Sequence, residues 1–142
     1  PALNPQSQLS SIDGDDAPAR VLFSFAGDEN QLSARNRMMY ELARTLTGES
    51  PPYATLMYVW DNQAPVGSVI VHPRTDRIRK LVVESGEQGL GQWRGYKRDL
   101  AADFRRAFGE EPGDLVGIAL MTDADNTRSR SEAWYGEVQL AR

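Results

Sequence analysis

Hydrophobic and polar positions divide this chain into short segments of two kinds. From Arg20, Val21, Phe23 and Phe25 alternate with Leu22, Ser24 and Ala26, the two-residue period of a strand, and Gly27-Asp28 supplies a turn. Between Leu32 and Leu46 the period becomes helical. Met39, Leu42, Ala43 and Leu46 form one apolar stripe, Arg35 and Arg44 fall off it, and Gly48 followed by Pro51-Pro52 stops the helix. Strand patterns follow at Tyr53 to Trp60, Val66 to Val71, Ile78 to Glu84 and Gln92 to Lys97, each punctuated by Gly, Pro, Asp or Asn. Asp99 can cap a short helix in which Leu100, Phe104 and Phe108 recur every four residues, with Gly109 past its end. Leu115 to Met121 is a near-continuous apolar run, as expected of a strand covered on both faces. Trp134, Gly136, Val138 and Leu140 alternate with Tyr135, Glu137 and Gln139 in a last strand.

Seven strands and two helices are predicted, with strands mostly consecutive in sequence. Strands and helices do not alternate regularly, which argues against a doubly wound parallel sheet. The expected fold is mainly β: an antiparallel β-sandwich, jelly-roll-like, with two short helices in its connections. Residues 1–17, rich in Ser, Gln, Asp and Gly, read as a flexible or extended arm, and 18–142 as one domain. The chain starts Pro1-Ala2-Leu3 without a signal-like segment, so the expectation is an upstream piece removed by processing or a fragment.

Composition narrows the function classes. The 142 residues carry 16 Lys and Arg against 20 Asp and Glu, a net charge of −4, which argues against a nucleic-acid partner. With no Cys, there are no disulfides, thiolate nucleophiles or Cys-ligated metals. No apolar stretch approaches the ~20 residues of a transmembrane helix.

Several stretches resemble a bacterial family known only as domain of unknown function 3047. They are Ala54 to Asn62 with Ala64 to Ile70, Thr75 to Ile78, Val82 to Gly86, Asp103 to Glu110, Leu120 to Thr127, and Ala133 to Glu137. In order, they cover most of the chain from about Arg20. Arg128 stands where such sequences usually have Gly after Asp-Asn-Thr. The resemblance implies export, hence a periplasmic or secreted protein, and further upstream strands. The closing strand is similar to that of galactose-binding-like jelly rolls, which implies carbohydrate binding, often with a structural calcium. Absent upstream strands would leave open β-edges, so the chain is expected to join a separate N-terminal fragment or copies of itself.

The residues offer a matching site. Trp60 precedes Asp61 and Asn62, Arg77 and Arg79 lie on a nearby predicted strand, and Trp93 begins another. An aromatic face beside Asp, Asn and Arg suits a sugar, whose CH surface stacks while its hydroxyls find polar partners. Large aromatics filling the core are the ordinary alternative, and Trp134, beside Val138 and Leu140, belongs to it. Asp123, Asp125 and Asn126 place oxygen ligands as calcium prefers, but Arg128 and Trp134 stand where an EF-hand needs Gly and Glu. An Asx-rich turn is the plainer account of that loop. Asp13, Asp15 and Asp16 fit a solvated arm better than a metal site.

Catalysis has less to stand on. His72, the sole histidine, lacks a G-x-S-x-G elbow and reads as a strand-end residue making local hydrogen bonds. The Gly86 to Gly91 segment has the wrong spacing for a phosphate cradle. Paired carboxylates drawn from Asp61, Asp76, Glu84 and Glu132 would be needed for a hydrolase. The expected function is therefore non-enzymatic binding of a carbohydrate or other cell-envelope ligand, with self-association through β-edges as the alternative.

Overall fold

The computed structural model describes residues 17–61, 63–86, 95–123 and 138–140. The strands are β1 (Ala17–Phe25), β2 (Ala54–Asp61), β3 (Val69–Val71), β4 (Ile78–Ser85) and β5 (Leu115–Asp123). Helix α1 (Ala34–Thr47) joins β1 to β2 after a 3-10 turn at Glu29–Gln31, and α2 (Leu100–Phe108) lies between β4 and β5.

Both helices begin and end on the residues whose chemistry demands it. Ser33 Oγ accepts from the Asn36 amide at 3.2 Å, and the Asp99 carboxylate accepts from that of Ala102 at 3.1 Å. Gly48 and Gly109 close the helices at φ of 80° and 71°, where a Cβ would be strained.

The five strands form one sheet in the order β3-β4-β2-β1-β5. β1 is antiparallel to both β2 and β5, whereas β2 and β4 run parallel, from Thr55 opposite Ile78 to Asp61 opposite Ser85. The parallel pair arises because the chain leaving β2 passes beyond the place of β4 and forms the edge strand β3 first. It then returns as β4 between the two, antiparallel to β3. Bonds from the Gly67 amide to Val82 O and from the Val82 amide to Ser68 O, 2.8 and 3.0 Å long, tie that excursion down.

The wholly antiparallel order expected from the sequence is thus corrected to one mixed sheet with two helices. The physical reason is local: alternation sets which face a side chain takes and says nothing of which strand lies alongside.

Each face of the sheet has its own apolar cluster. Phe23, Phe25, Leu56, Tyr58 and Leu81 pack under Phe104, Ala107 and Phe108 of α2. The Phe104 ring lies 4.6 Å from that of Phe25 and 4.5 Å from that of Phe108. Burying a side chain of this kind stabilises the fold by about 1.5–3 kcal/mol. On the other face Met57, Val59 and Val82 are buried, with Leu22, Ile70, Ile78 and Ala64 against them. Arg20 and Lys80 are also buried there by register, and both are partnered.

Three further expectations change. In α1 the buried residues are Asn36 and Tyr40, while Leu42 and Leu46 face solvent. Polar anchors set that rotation: Tyr40 donates to Pro52 O at 2.7 Å, and Asn36 Nδ2 to Asp76 Oδ1 at 2.6 Å. β5 is an edge strand among the described residues, and Val116, Ile118, Leu120 and Met121 are exposed rather than covered on both faces. Residues 95–97 form no strand, and the rest of the Gln92 to Lys97 expectation lies outside the described residues. Of the last predicted strand only 138–140 are described, without regular structure.

Candidate functional site

The carboxyl ends of the parallel strands β2 and β4 bring together side chains of the kind a binding site needs. By register Trp60 lies opposite Glu84, after an irregularity at Val59/Trp60. Trp60 takes the α2 face of the sheet, as Leu56 and Tyr58 do, because side chains alternate. It is half-buried, and its indole donates to Gly86 O at 2.8 Å. Tyr96, half exposed at 50%, comes in from the segment before α2 and donates its hydroxyl to Glu84 Oε2 at 2.7 Å. Trp60, Glu84 opposite it and Tyr96 bonded to Glu84 therefore stand at the end where the parallel strands finish.

Below them a partly buried polar clamp holds α2 to β2. Tyr58 donates to Asp103 Oδ2 at 2.6 Å, and Arg98 reaches both carboxylate oxygens, Nε and Nη2 each at 3.0 Å. The guanidinium also lies 5.8 Å above the Tyr58 ring. Burial, reinforced by the bond to Asp103, pushes the Tyr58 phenol well above its usual range, and the bond to Asp103 raises Arg98. Both shifts keep the Tyr58 phenol neutral and the Arg98 guanidinium charged at neutral pH, so the clamp is a fixed support for the site above it.

The six residues expected at a sugar site are placed as follows. Trp60 and Asp61 share the carboxyl end of β2 but point to opposite faces. Asp61 is buried and its Oδ2 accepts from the amides of Gln63 and Ala64. Arg77 immediately precedes β4 and Arg79 is its second residue, at the opposite end of the sheet from Trp60, so the structure does not bring them to it. Arg77 Nε donates to Tyr53 O at 3.1 Å, and its Nη2 pairs with Glu110 at 2.8 Å. Its guanidinium also stacks 4.5 Å from the Tyr53 ring. Arg79 donates to Asp76 O and Ala107 O at 3.0 and 2.9 Å. Both arginines brace loops and α2. Asn62 and Trp93 lie outside the described residues.

Of the expected metal ligands, Asp123 ends β5 with its Cα paired to Ala17, and Asp125 and Asn126 lie outside the described residues. Among the described residues no group of three His, Asp or Glu side chains converges to hold a metal ion. Asp61, Asp76 and Glu84 do not share a cleft either. Asp76, in the β3–β4 turn, is at the opposite end of the sheet from Asp61 and Glu84, and Glu132 lies outside the described residues.

At that far end a shallow cavity of about 210 Å³ opens between the start of α1 and the β3–β4 turn, lined by Ser33, Arg35, Asn36, His72, Arg74 and Asp76 among others. His72 Nδ1 accepts from the Arg74 amide at 3.1 Å, the local bond expected of a strand-end histidine.

Glu84 and Tyr96 are the site residues that sequence reasoning did not place. Glu84 comes beside Trp60 only through the parallel pairing of β2 with β4, for which the sequence carries no signal, and Tyr96 joins them through its bond to Glu84.

The fold and this site define a β-rich domain with one mixed sheet, braced by two helices, and an aromatic-lined end. The chain belongs to the family described as protein of unknown function (DUF3047), whose pattern it matches over residues 2–139. No curated protein and no solved structure matches it. Among the described residues, no helix is long and apolar enough to cross a membrane.

Proposed function

We propose that the chain is a non-enzymatic binding protein for a carbohydrate or another cell-envelope ligand, held at the carboxyl ends of β2 and β4. The observation that carries this reading is Trp60 beside Glu84 and the half-exposed Tyr96. An aromatic surface next to a carboxylate offers a stacking face and a hydroxyl acceptor together. The indole is held by its bond to Gly86 O, so it binds without first having to be ordered. In this reading the protein is exported and works in the periplasm or outside the cell. Asn62 and Trp93 extend the ligand face, and Asp123, Asp125 and Asn126 hold a calcium ion. The sheet is one layer of a jelly-roll-like sandwich, which the burial of Met57, Val59 and Val82 on the face away from α2 supports.

The test is a melting-temperature panel against neutral and acidic glycans, with calcium and with chelator. A ligand at a hundredfold excess over its Kd adds about 2.7 kcal/mol to stability. Tyr96→Ala, at an exposed position, is expected to abolish the shift while leaving the unliganded melting temperature nearly unchanged. A panel in which no glycan raises the melting temperature refutes the reading, as does an equal shift in Tyr96→Ala.

A second reading, assembly through β-edges, is favoured by one observation. Among the described residues β5 lies at the sheet edge and exposes Val116, Ile118 and Leu120, and such strands pair with further chains. It requires large ligand-free oligomers, and a monomeric light-scattering mass removes it.

A further inference from the structure

We propose that α1 is a self-association surface on which a second copy of this chain docks antiparallel, helix against helix. The helix is anchored on one side by Asn36 and Tyr40, leaving a separate apolar row facing outward. Met38, Leu42 and Leu46, spaced by four residues, are 67%, 58% and 75% exposed. At about 100° per residue they share one stripe spanning about 80°, set apart by about 80° or more from the buried Asn36 and Tyr40. Scattered exposed apolar residues are ordinary, but three in one row along a helix are a docking seam.

Charge selects the occupant. Arg35 continues the stripe at one end, and Glu49, just past the Gly48 cap, stands at the other. Both are exposed, and neither side chain has an ion-pair partner among the described residues, unlike Arg44, which is paired with Glu29. In an antiparallel pair centred on Leu42, the two Leu42 side chains meet and Met38 faces Leu46 of the second copy. Arg35 then lies at the same end of the seam as Glu49 of the second copy, and two-fold symmetry makes that meeting twice. A parallel pair would instead set Arg35 against Arg35 and Glu49 against Glu49, which repels.

Helix α1 spans about 21 Å. A seam of that length lies at the low end of specific interfaces, below roughly 1,200 Å² in all, so a dimer dissociating at about 10–100 μM is expected.

Sedimentation of the full 142-residue chain from about 1 to 300 μM tests this, spanning the expected dissociation constant. The expected result is a monomer of 15.8 kDa at the low end, shifting to twice that mass at the high end. Leu42→Glu is expected to stay monomeric throughout, with unchanged circular dichroism because the position is exposed. Arg35→Glu and Glu49→Arg should each weaken the dimer, and the double charge swap should restore it. A monomer at every concentration overturns the proposal. So does a dimer unaffected by Leu42→Glu, which would assign association to the β5 edge, or a double swap that fails to rescue. Glycan binding at Trp60 and Tyr96 is read separately, so either idea can fail alone.

Discussion

Replacing Tyr58 by Phe removes one hydroxyl from the Asp103 carboxylate and leaves the ring in place. Asp103 receives three bonds, one from Tyr58 at 2.6 Å and two from Arg98 at 3.0 Å. A hydrogen bond to a charged group contributes about 1.5–3 kcal/mol, so Tyr58→Phe is expected to cost about 2 kcal/mol. For a chain of this size that is a fall of roughly 4–8 °C in melting temperature. Arg98→Ala should cost less, about 1 kcal/mol, because the Arg98 side chain is 37% exposed and water screens part of the pair. The two changes share one acceptor and cannot be independent. Either alone leaves the carboxylate a donor, whereas together they strand a buried charge. The double variant should therefore exceed the sum of the singles by about 1 kcal/mol or more. Urea unfolding of the four proteins measures this, with the midpoint moving and the slope constant in Tyr58→Phe. Strict additivity, or a Tyr58→Phe cost under about 0.5 kcal/mol, would refute the claim that this clamp joins α2 to the sheet.

Phe104→Ala is expected to cost about 3–5 kcal/mol in the same assay, since Phe104 is fully buried between Phe25 and Phe108. A loss under about 1 kcal/mol would mean that α2 does not cover this face. Burial pushes the Tyr40 phenol up from 10.0 to about 12, against the lowering effect of Arg77. The folded protein thus holds that proton more tightly than the unfolded chain does. Its contribution is complete below pH 10 and lost as pH rises through about 12. Melts across that range should show a shallower decline in Tyr40→Phe than in wild type, and an identical decline would contradict the assignment.

Local chemistry made much of this molecule legible before any coordinates. Gly48, Asp99 and Gly109 announced helix ends because capping depends on the residue at the boundary, and the structure uses all three. Alternation at Val21, Phe23 and Phe25 placed their side chains on one face, where two of them are buried in the core. The rotation of α1 was not legible, because both Leu42 and Tyr40 could have faced inward. Tyr40 and Asn36 take that place through bonds to Pro52 O and Asp76, groups far along the chain. Nor was the separation of Arg77 from Trp60 visible, since Arg77 leads into β4 beside β2 but at the end away from Trp60.

The amino-acid sequence by itself determined both helices with their caps, most of the observed strands and the family, because each depends on residues close together in the chain. Only the tertiary structure decided that β4 enters beside β2 in parallel, that β5 lies at an edge among the described residues, and that Glu84, opposite Trp60, meets Tyr96. Those outcomes depend on which strand finds which partner. That choice is made by packing between distant segments, and no local pattern encodes it.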